Sequence, residues 1–527
     1  MAIFSSETHA DGLIISRTYS FARLGRYLHT LLLFVYRLSG FYITPFFLQL
    51  CYFISLTFLG SLLLALLKPS DPDFSPGYLD MLFMSTSSIT VSCLGVVEME
   101  RFSSAQIVVL MLLMFLGGDV FVSLLVLLLR KANTTENSSR SVEIEAGPIP
   151  HDDDAVVDRS EAGMDINPSA ADVESKTYTC LLIYVISGYI ATFHVLGTAS
   201  LLAYFAGVSR ARGVLKTKGI NLFLFCLCTT VSSFANGGFV PTSENMVVFN
   251  RDPVVLLLMT AVALVGNTLF PLFLRLAIWA SSKLTRRAEF GSMLKSSGNE
   301  ARLWPLLPKS QTWMLSLTAV GLLLAVLVLF CAMDWNGAVF DGLNSFQKLT
   351  SALFIVVNSR HAGENSIDCS LISPAVLVFL IVMMYLPASA SFTLAREDDS
   401  IHERTQRKPQ GKSSWLQRLI FPQISWIFIS VVAVCITERR KMSRDSLNFS
   451  TLNIIFEVTS GYGNVGLSTG YSCSRLQKLD PGASCEDKPY SLSGWFSDEG
   501  KLILILVMLY GRLKKFSAGC GKAWKLY

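Results

Sequence analysis

Apolar residues run through this chain in long blocks, and shorter, half-polar blocks alternate with them. Stretches near 41–67, 105–130, 178–206, 253–281, 313–333, 370–394, 415–437 and 498–513 are almost wholly apolar; within the second, Gln106 to Leu129 reads QIVVLMLLMFLGGDVFVSLLVLLL. About 20 such residues cross a bilayer as a helix, and helix is the only open-ended structure that satisfies its own backbone in lipid. Eight spanning helices are therefore predicted. Between the first and second, third and fourth, fifth and sixth, and seventh and eighth lie Tyr78–Cys93, Ile220–Gly238, Leu343–Gly363 and Leu447–Gly466. Each is too short and too polar to span.

The ends of these four segments read SSITVSCLG, SSFANGGFV, NSRHAGENS and SGYGNVGLS. Each shows a short apolar helix, then small or polar residues, then Cys93, Gly238, Gly363 or Gly466. The pattern predicts an all-α integral membrane protein of four membrane–pore–membrane repeats around one central pore. Repeat 1 covers 41–130, repeat 2 177–281, repeat 3 313–394 and repeat 4 415–527. An N-terminal cytosolic segment (1–40), an acidic linker (131–176) and cytosolic connectors (282–312 and 395–414) complete the chain. The linker is rich in Ser, Asp and Glu and cannot bury enough apolar surface to fold, so disorder is expected there.

Composition strengthens the membrane reading. Hydrophobic residues make up 51%, charged residues only 16%, and mean hydropathy is +0.48, against about 25% charge in soluble domains. The net charge of +5 is spread over loops with no basic, aromatic-interleaved arm, which argues against nucleic acid as a partner. The start lacks a basic n-region and a small-residue cleavage site, so no removable signal peptide is expected. Basic residues crowd the 282–312 and 395–414 connectors and the C-terminal end. By the positive-inside bias these ends are cytosolic, which places the half-helix loops outside. Arg210, Arg212, Lys216 and Lys218 disagree, since they fall on the outer side.

Segments that dip into the membrane without crossing it must line water or protein. Four of them in pseudo-repeat suggest a shared axis, where backbone carbonyls replace the hydration shell of a small cation. Helix C-termini aimed at that axis add a favourable field, and glycine lets the chain turn its carbonyls inward without a Cβ clash.

The phrases FLGGDVFVS (115–123), FANGGFVPTSENM (234–246), VGNTLFP (265–271), VVNSRHAGE (356–364), MMYLP (383–387), GYGNVGLSTGYSC (461–473) and YGRLKKF (510–516) resemble the plant high-affinity K⁺ transporters, the HKT group, related to the bacterial Trk and Ktr systems. The likeness runs from about residue 30 to the C-terminus, the acidic linker aside. It implies one pore per subunit, usually in a homodimer whose interface does not conduct, with no cofactor and with Na⁺ or K⁺ as the transported ion. It also implies one selectivity residue per repeat. These are Cys93, Gly238, Gly363 and Gly466, flanked by Val91, Ser92, Asn236, Gly237, His361, Ala362, Asn464 and Val465. Na⁺ is expected to be held by their backbone carbonyls.

In the family the first position is Ser in mainly Na⁺-selective members and Gly in members that also carry K⁺, so Cys93 departs from the pattern. A Cβ there restricts the backbone and adds bulk, which spoils an evenly K⁺-sized site, and Na⁺ preference is the expectation. A K⁺ or mixed Na⁺/K⁺ transporter is the alternative. The resemblance places Arg512 in the pore below the filter; the residues alone also allow an Arg snorkelling to the cytosolic interface. Asp119, inside a span, either aids a permeating cation or pairs with a neighbouring helix. Pro387 interrupts the sixth span, where related bacterial proteins have a gating loop and where an ordinary kink is equally open.

Glu244 and Glu364 follow filter glycines and are candidates for a cation-concentrating rim. Cys473 and Cys485 share one polar loop and can pair as a disulfide if that loop is extracellular. Asn448, in NFS, is a glycosylation candidate on the outer side. Enzyme chemistry finds no support: Gly411-Lys412-Ser413 lacks the upstream glycine of a phosphate loop, and the six histidines form no pair with metal-ligand spacing. The plasma membrane is the expected location, with an endomembrane as the alternative.

Overall fold

A computed structural model describes residues 45–72, 74–145, 170–296, 305–386, 423–480, 484–485 and 487–520. The chain divides into two compact units, residues 1–52 and residues 53–527. Of the first, residues 45–52 are described, and they begin the opening helix.

All described secondary structure is helical. Repeat 1 comprises α1 (Pro45–Leu66), the half-helix α2 (Tyr78–Ile89), and α3 (Ser104–Gly117) followed by α4 (Asp119–Glu145). Repeat 2 comprises α5 (Ala170–Gly207), a short α6 (Ser209–Thr217), the half-helix α7 (Leu222–Ala235), and α8 (Pro253–Gly266) followed by α9 (Phe270–Thr285). After α10 (Ala288–Ser296), repeat 3 has α11 (Lys309–Asp334), the half-helix α12 (Ser345–Asn358) and α13 (Pro374–Tyr385). Repeat 4 has α14 (Gln423–Thr437), α15 (Arg439–Arg444), the half-helix α16 (Thr451–Gly463), α17 (Cys473–Leu479) and α18 (Asp498–Cys520).

The repeats close on one another through shared apolar clusters. Met81 and Leu110 of repeat 1 pack in one cluster with Ile454 and Met508 of repeat 4. Phe456 and Leu467 of repeat 4 join Val356 and Leu380 of repeat 3, and Phe354 of repeat 3 sits among Phe225 and Phe249 of repeat 2. Leu124 of repeat 1 meets Leu182 and Leu274 of repeat 2, which completes the ring. The half-helices are enclosed, while outward faces stay apolar: Leu317 is 74% and Val328 66% exposed on α11. An apolar belt of that kind is what lipid solvates.

Among the described residues three helices are long and apolar enough to cross a membrane, or up to six if each bent pair counts as one span. The expected continuous spans at 105–130 and 253–281 are in fact broken. Gly118, extended at φ −60° and ψ 143°, separates α3 from α4 at a bend of 61°. Asn267 ends α8 and Pro271 helps restart α9 after a bend of 82°. The linker also differs at its ends. Helix α4 runs on to Glu145 and α5 begins at Ala170, where disorder was expected over 131–176; residues 146–169 lie outside the described residues.

A steric relationship recurs in three repeats. Gly117 packs on the Ile89 carbonyl at the end of α2, Gly266 on the Phe234 carbonyl in α7, and Gly511 on the Tyr462 carbonyl in α16. A Cβ at any of the three would overlap that oxygen. Ile89, Phe234 and Tyr462 each stand four residues before Cys93, Gly238 and Gly466. The second span of each of these repeats therefore presses backbone to backbone on the base of its own half-helix.

Candidate functional site

Three of the four half-helices begin with a side-chain cap. Asn221 Oδ1 accepts the Leu224 N–H at 3.1 Å, Asn344 and Gln347 form a reciprocal capping box, and Ser450 Oγ accepts the Asn453 N–H at 3.2 Å. Such caps satisfy otherwise orphaned helix donors.

At the opposite ends the chain turns sharply. Val91 (φ 51°), Asn236 (φ 61°) and Asn464 (φ 52°) are left-handed, and so are Cys93 (φ 58°), Gly238 (φ 69°), Gly363 (φ 60°) and Gly466 (φ 101°). Asn tolerates this region better than most residues, whereas a β-branched residue such as Val91 is an outlier. Strain of this kind costs on the order of 1–3 kcal/mol and persists where the surroundings over-determine it.

The turns spend the loop N–H groups on the half-helices. Ser92 N donates to Ser87 O (2.8 Å), Gly237 N to Ser232 O (2.7 Å), Gly363 N to Asn358 O (3.2 Å) and Val465 N to Ser460 O (3.1 Å). In every repeat, a loop N–H adjacent to or at the filter position reaches back five residues. One donor of each loop is thus withdrawn into the scaffold, which shifts the balance of the loop's polar groups towards carbonyls, an arrangement suited to a cation.

The four positions meet. A Cβ on Gly238 would overlap Cys93 Sγ and the Ala362 carbonyl oxygen; one on Gly363 would overlap the Val465 oxygen; one on Gly466 would overlap Cys93 Cβ. The Cys93 side chain occupies the room its glycine counterparts leave, and its thiol donates to Asn236 O at 3.4 Å. Asn464 Nδ2 donates to Ser92 Oγ at 2.8 Å, tying repeat 4 to repeat 1. His361 turns away from the ring: Nδ1 bonds Val357 O at 2.6 Å and Nε2 bonds Thr268 Oγ1 at 2.7 Å, in the break between α8 and α9. A cavity of about 480 Å³ opens above Cys93, Gly238, Gly363 and Gly466, with Glu244 and Asp487 on its wall.

The two glutamates expected on a rim separate. Glu244 lines the cavity and pairs with Lys218 at 2.7 Å, and Lys218 also pairs with Glu100 at 2.7 Å. This reconciles Lys218 with the side expected to be outer, because its charge is spent between two carboxylates. Glu364, by contrast, is fully buried and corrects the expectation: it accepts hydrogen bonds from Ser232 and Ser233 of α7. Glu457, which the sequence did not single out, is likewise buried and accepts from Ser468 Oγ (2.6 Å) and Ser493 N (2.8 Å).

Arg512 is fully buried, so it does not snorkel to an interface. Its Nη2 lies 2.7 Å from Asp119 Oδ1 and also donates to the Gly117 carbonyl. Of the two alternatives left open for Asp119, this contact is the pairing with a neighbouring helix, and Arg512 is the partner. Pro387 lies outside the described residues. Cys473 and Cys485 are disulfide-bonded, with Cα atoms 5.7 Å apart, and Ser472 and Asp487, beside them in the chain, line the cavity. Asn448 is no glycosylation site in the folded chain, since its buried Nδ2 donates to Asp445 Oδ2 (2.8 Å) and Ser472 O (2.9 Å).

Similarity to known proteins agrees with this geometry. Residues 44–521 match the family TrkH, cation transport protein. The cation transporter HKT2;4 of Oryza sativa subsp. japonica is 42% identical over 482 residues, 90% of this chain and 93% of its own. The sodium transporter HKT1 of Arabidopsis thaliana is 40% identical over 456 residues, 86% and 89% of the two chains. The potassium transporter TrkH from Vibrio parahaemolyticus, a solved structure, covers 91% of this chain with 85% of its own at a TM-score of 0.48 and 14% identity. Matched over residues 44–521 by the family model and about 40% identical to these plant transporters, this chain belongs to the TrkH family of cation transport proteins, in its HKT branch.

Proposed function

We propose that this protein passes monovalent cations, Na⁺ ahead of K⁺, passively across a membrane through a filter at Cys93, Gly238, Gly363 and Gly466. The observation that carries the reading is the meeting of four left-handed turns, each of which returns a loop N–H to its own half-helix. Loop carbonyls can stand in for water around an ion. Enclosed helix C-termini add partial negative charge. The reading treats the flanking residues Val91, Ser92, Asn236, Gly237, His361, Ala362, Asn464 and Val465 as the frame of that ring.

Na⁺ preference rests on Cys93. Its Cβ and Sγ crowd Gly466 and Gly238, which disfavours four equal, K⁺-sized distances, whereas a smaller ion that keeps part of its water tolerates an uneven ring. The glycines at the other three positions favour the second reading, a K⁺ or mixed Na⁺/K⁺ transporter. The homodimer and plasma-membrane location belong to the same proposal and rest on the family resemblance, as does a gating part for Pro387.

Reversal potentials in oocytes under Na⁺ and K⁺ substitution test it. Wild type should follow Na⁺, and Cys93→Gly should raise the K⁺ permeability relative to Na⁺ by about ten-fold, the effect of roughly 1.4 kcal/mol. Equal responses of both proteins to the two ions would remove Cys93 from selectivity. Absence of any ion flux in liposomes containing only this protein would remove the pore.

A further inference from the structure

We infer that Glu364 is a positioning residue for ion selectivity, holding the third filter loop at a fixed place by a hydrogen-bonded tie to the half-helix of the second repeat. The inference rests on reading the four loops as a filter.

The residue just after the filter position breaks the pseudo-symmetry. It is Leu94, Phe239 and Leu467 in repeats 1, 2 and 4, each buried and apolar; in repeat 3 it is Glu364, equally buried. Placing a carboxyl in a dry interior costs free energy unless it is hydrogen-bonded, so packing alone gives no reason for it. The bonds supply one. Oε1 accepts from Ser232 Oγ and Ser233 Oγ, and Oε2 accepts from Ser233 Oγ, each at 3.1 Å. Both serines are fully buried.

Ser232 works on two loops at once. Its backbone oxygen accepts the Gly237 N–H at 2.7 Å and anchors the second filter loop, while its hydroxyl reaches the third. Nearby, Met246 N donates to Asn365 O at 3.1 Å, and Asn245 Nδ2 donates to Gly238 O at 3.3 Å. Gly238 and Gly363 are thereby linked on both sides. The seams of repeat 1 carry lighter ties, a thiol from Cys93 to Asn236 O and an amide from Asn464 to Ser92. The field a cation meets depends on where each carbonyl stands, and a site is held in place by the locked groups behind it.

Five proteins expressed in oocytes separate the outcomes: wild type, Glu364→Gln, Glu364→Ala, the double variant Ser232→Ala with Ser233→Ala, and the triple variant that combines the last two. The readout is the K⁺-to-Na⁺ permeability ratio from reversal potentials, at a surface amount measured by biotinylation. An amide can both accept from and donate to serine hydroxyls, so Glu364→Gln should keep the ratio within about two-fold. Glu364→Ala and the double serine variant should each move it by about ten-fold, and combining them should add little, because they cut one tie. If Glu364→Ala fails to reach the surface, the serine variant alone decides. The inference is overturned if Glu364→Gln moves the ratio as far as Glu364→Ala, or if the serine variant leaves it unchanged. Failure of wild type to conduct at all is a different result and sinks the filter reading instead.

Discussion

Arg512 in α18 and Asp119 at the start of α4 form an ion pair at 2.7 Å that joins the fourth repeat to the first. The guanidinium also donates to the Gly117 carbonyl and stands 5.9 Å from the Phe53 ring. Asp119 opens α4, where a negative charge suits the helix N-terminus. The break at Gly118 exposes a backbone carbonyl at Gly117, and the arginine satisfies that carbonyl and the acid together. Removing one partner of a fully buried pair typically costs about 3–5 kcal/mol, and with Arg512 buried but Asp119 29% exposed the cost here should lie below that. Arg512→Gln should therefore lower the melting temperature of the detergent-solubilised protein sharply, and Asp119→Asn added to it should recover part of the loss. An Arg512→Gln protein as heat-stable as wild type would contradict the pairing.

The glycine contacts allow a matched comparison. Gly266→Ala would push a Cβ into the Phe234 carbonyl, and overpacking of this type costs about 1–3 kcal/mol. Gly321→Ala, in the middle of α11 with nothing within 4 Å of the added carbon, should instead be neutral or stabilise by up to about 1 kcal/mol through helix propensity. Thermal unfolding of the two variants checks the contrast. Equal behaviour would show that the contact is not under compression.

Cys473 and Cys485 close a short loop, and Cys473 N donates to Asp487 Oδ1 at 2.6 Å. Replacing both cysteines by serine should cost about 2–4 kcal/mol of stability. Mass spectrometry of unreduced peptides should find the two joined, and a free thiol at either position in the folded protein would reject the bond.

Lys218 gives a pH expectation. Burial works against its ammonium form, but hydrogen bonds to Glu100 and Glu244 outweigh that and raise its pKa above the usual 10.5. A raised pKa means that the stabilisation is complete below the unfolded value and is lost only as pH rises through the folded one. The Lys218 joint should thus hold unchanged between about pH 6 and pH 9. Lys218→Gln, by contrast, should loosen the loop at Glu244 over that whole range, seen as faster hydrogen exchange at Ser243 and Asn245. A pH-dependent exchange rate in wild type over that window, beyond the intrinsic chemistry, would count against it.

Much of this architecture was legible in the order of residues. Long apolar blocks can only be helices in lipid, and the four half-polar segments announced themselves by being too short to span. The glycines were visible because a chain that turns its carbonyls inward leaves no room for a Cβ, whereas Asn236 and Asn464 came only with the family motif and their left-handed turns did not show. What stayed hidden depends on pairing across the fold. Nothing near Arg512 in the chain points to Asp119, since 392 intervening residues separate them. Glu364 follows a filter glycine as Glu244 nearly does, and only burial tells a tie from a rim charge. The broken spans had a local signal, Gly117-Gly118 and Gly266-Asn267, that apolar flanks masked. The packing glycines were there too, in FLG, LVG and LYG.

A single polypeptide writes its ring four times over with four different spellings. An assembly of identical subunits changes all its lining positions with one codon, and its ion preference therefore jumps. On the proposed filter, one substitution touches one quadrant, as Cys93 does among three glycines, so ion preference shifts at a single position while the remaining three quadrants stay as they were.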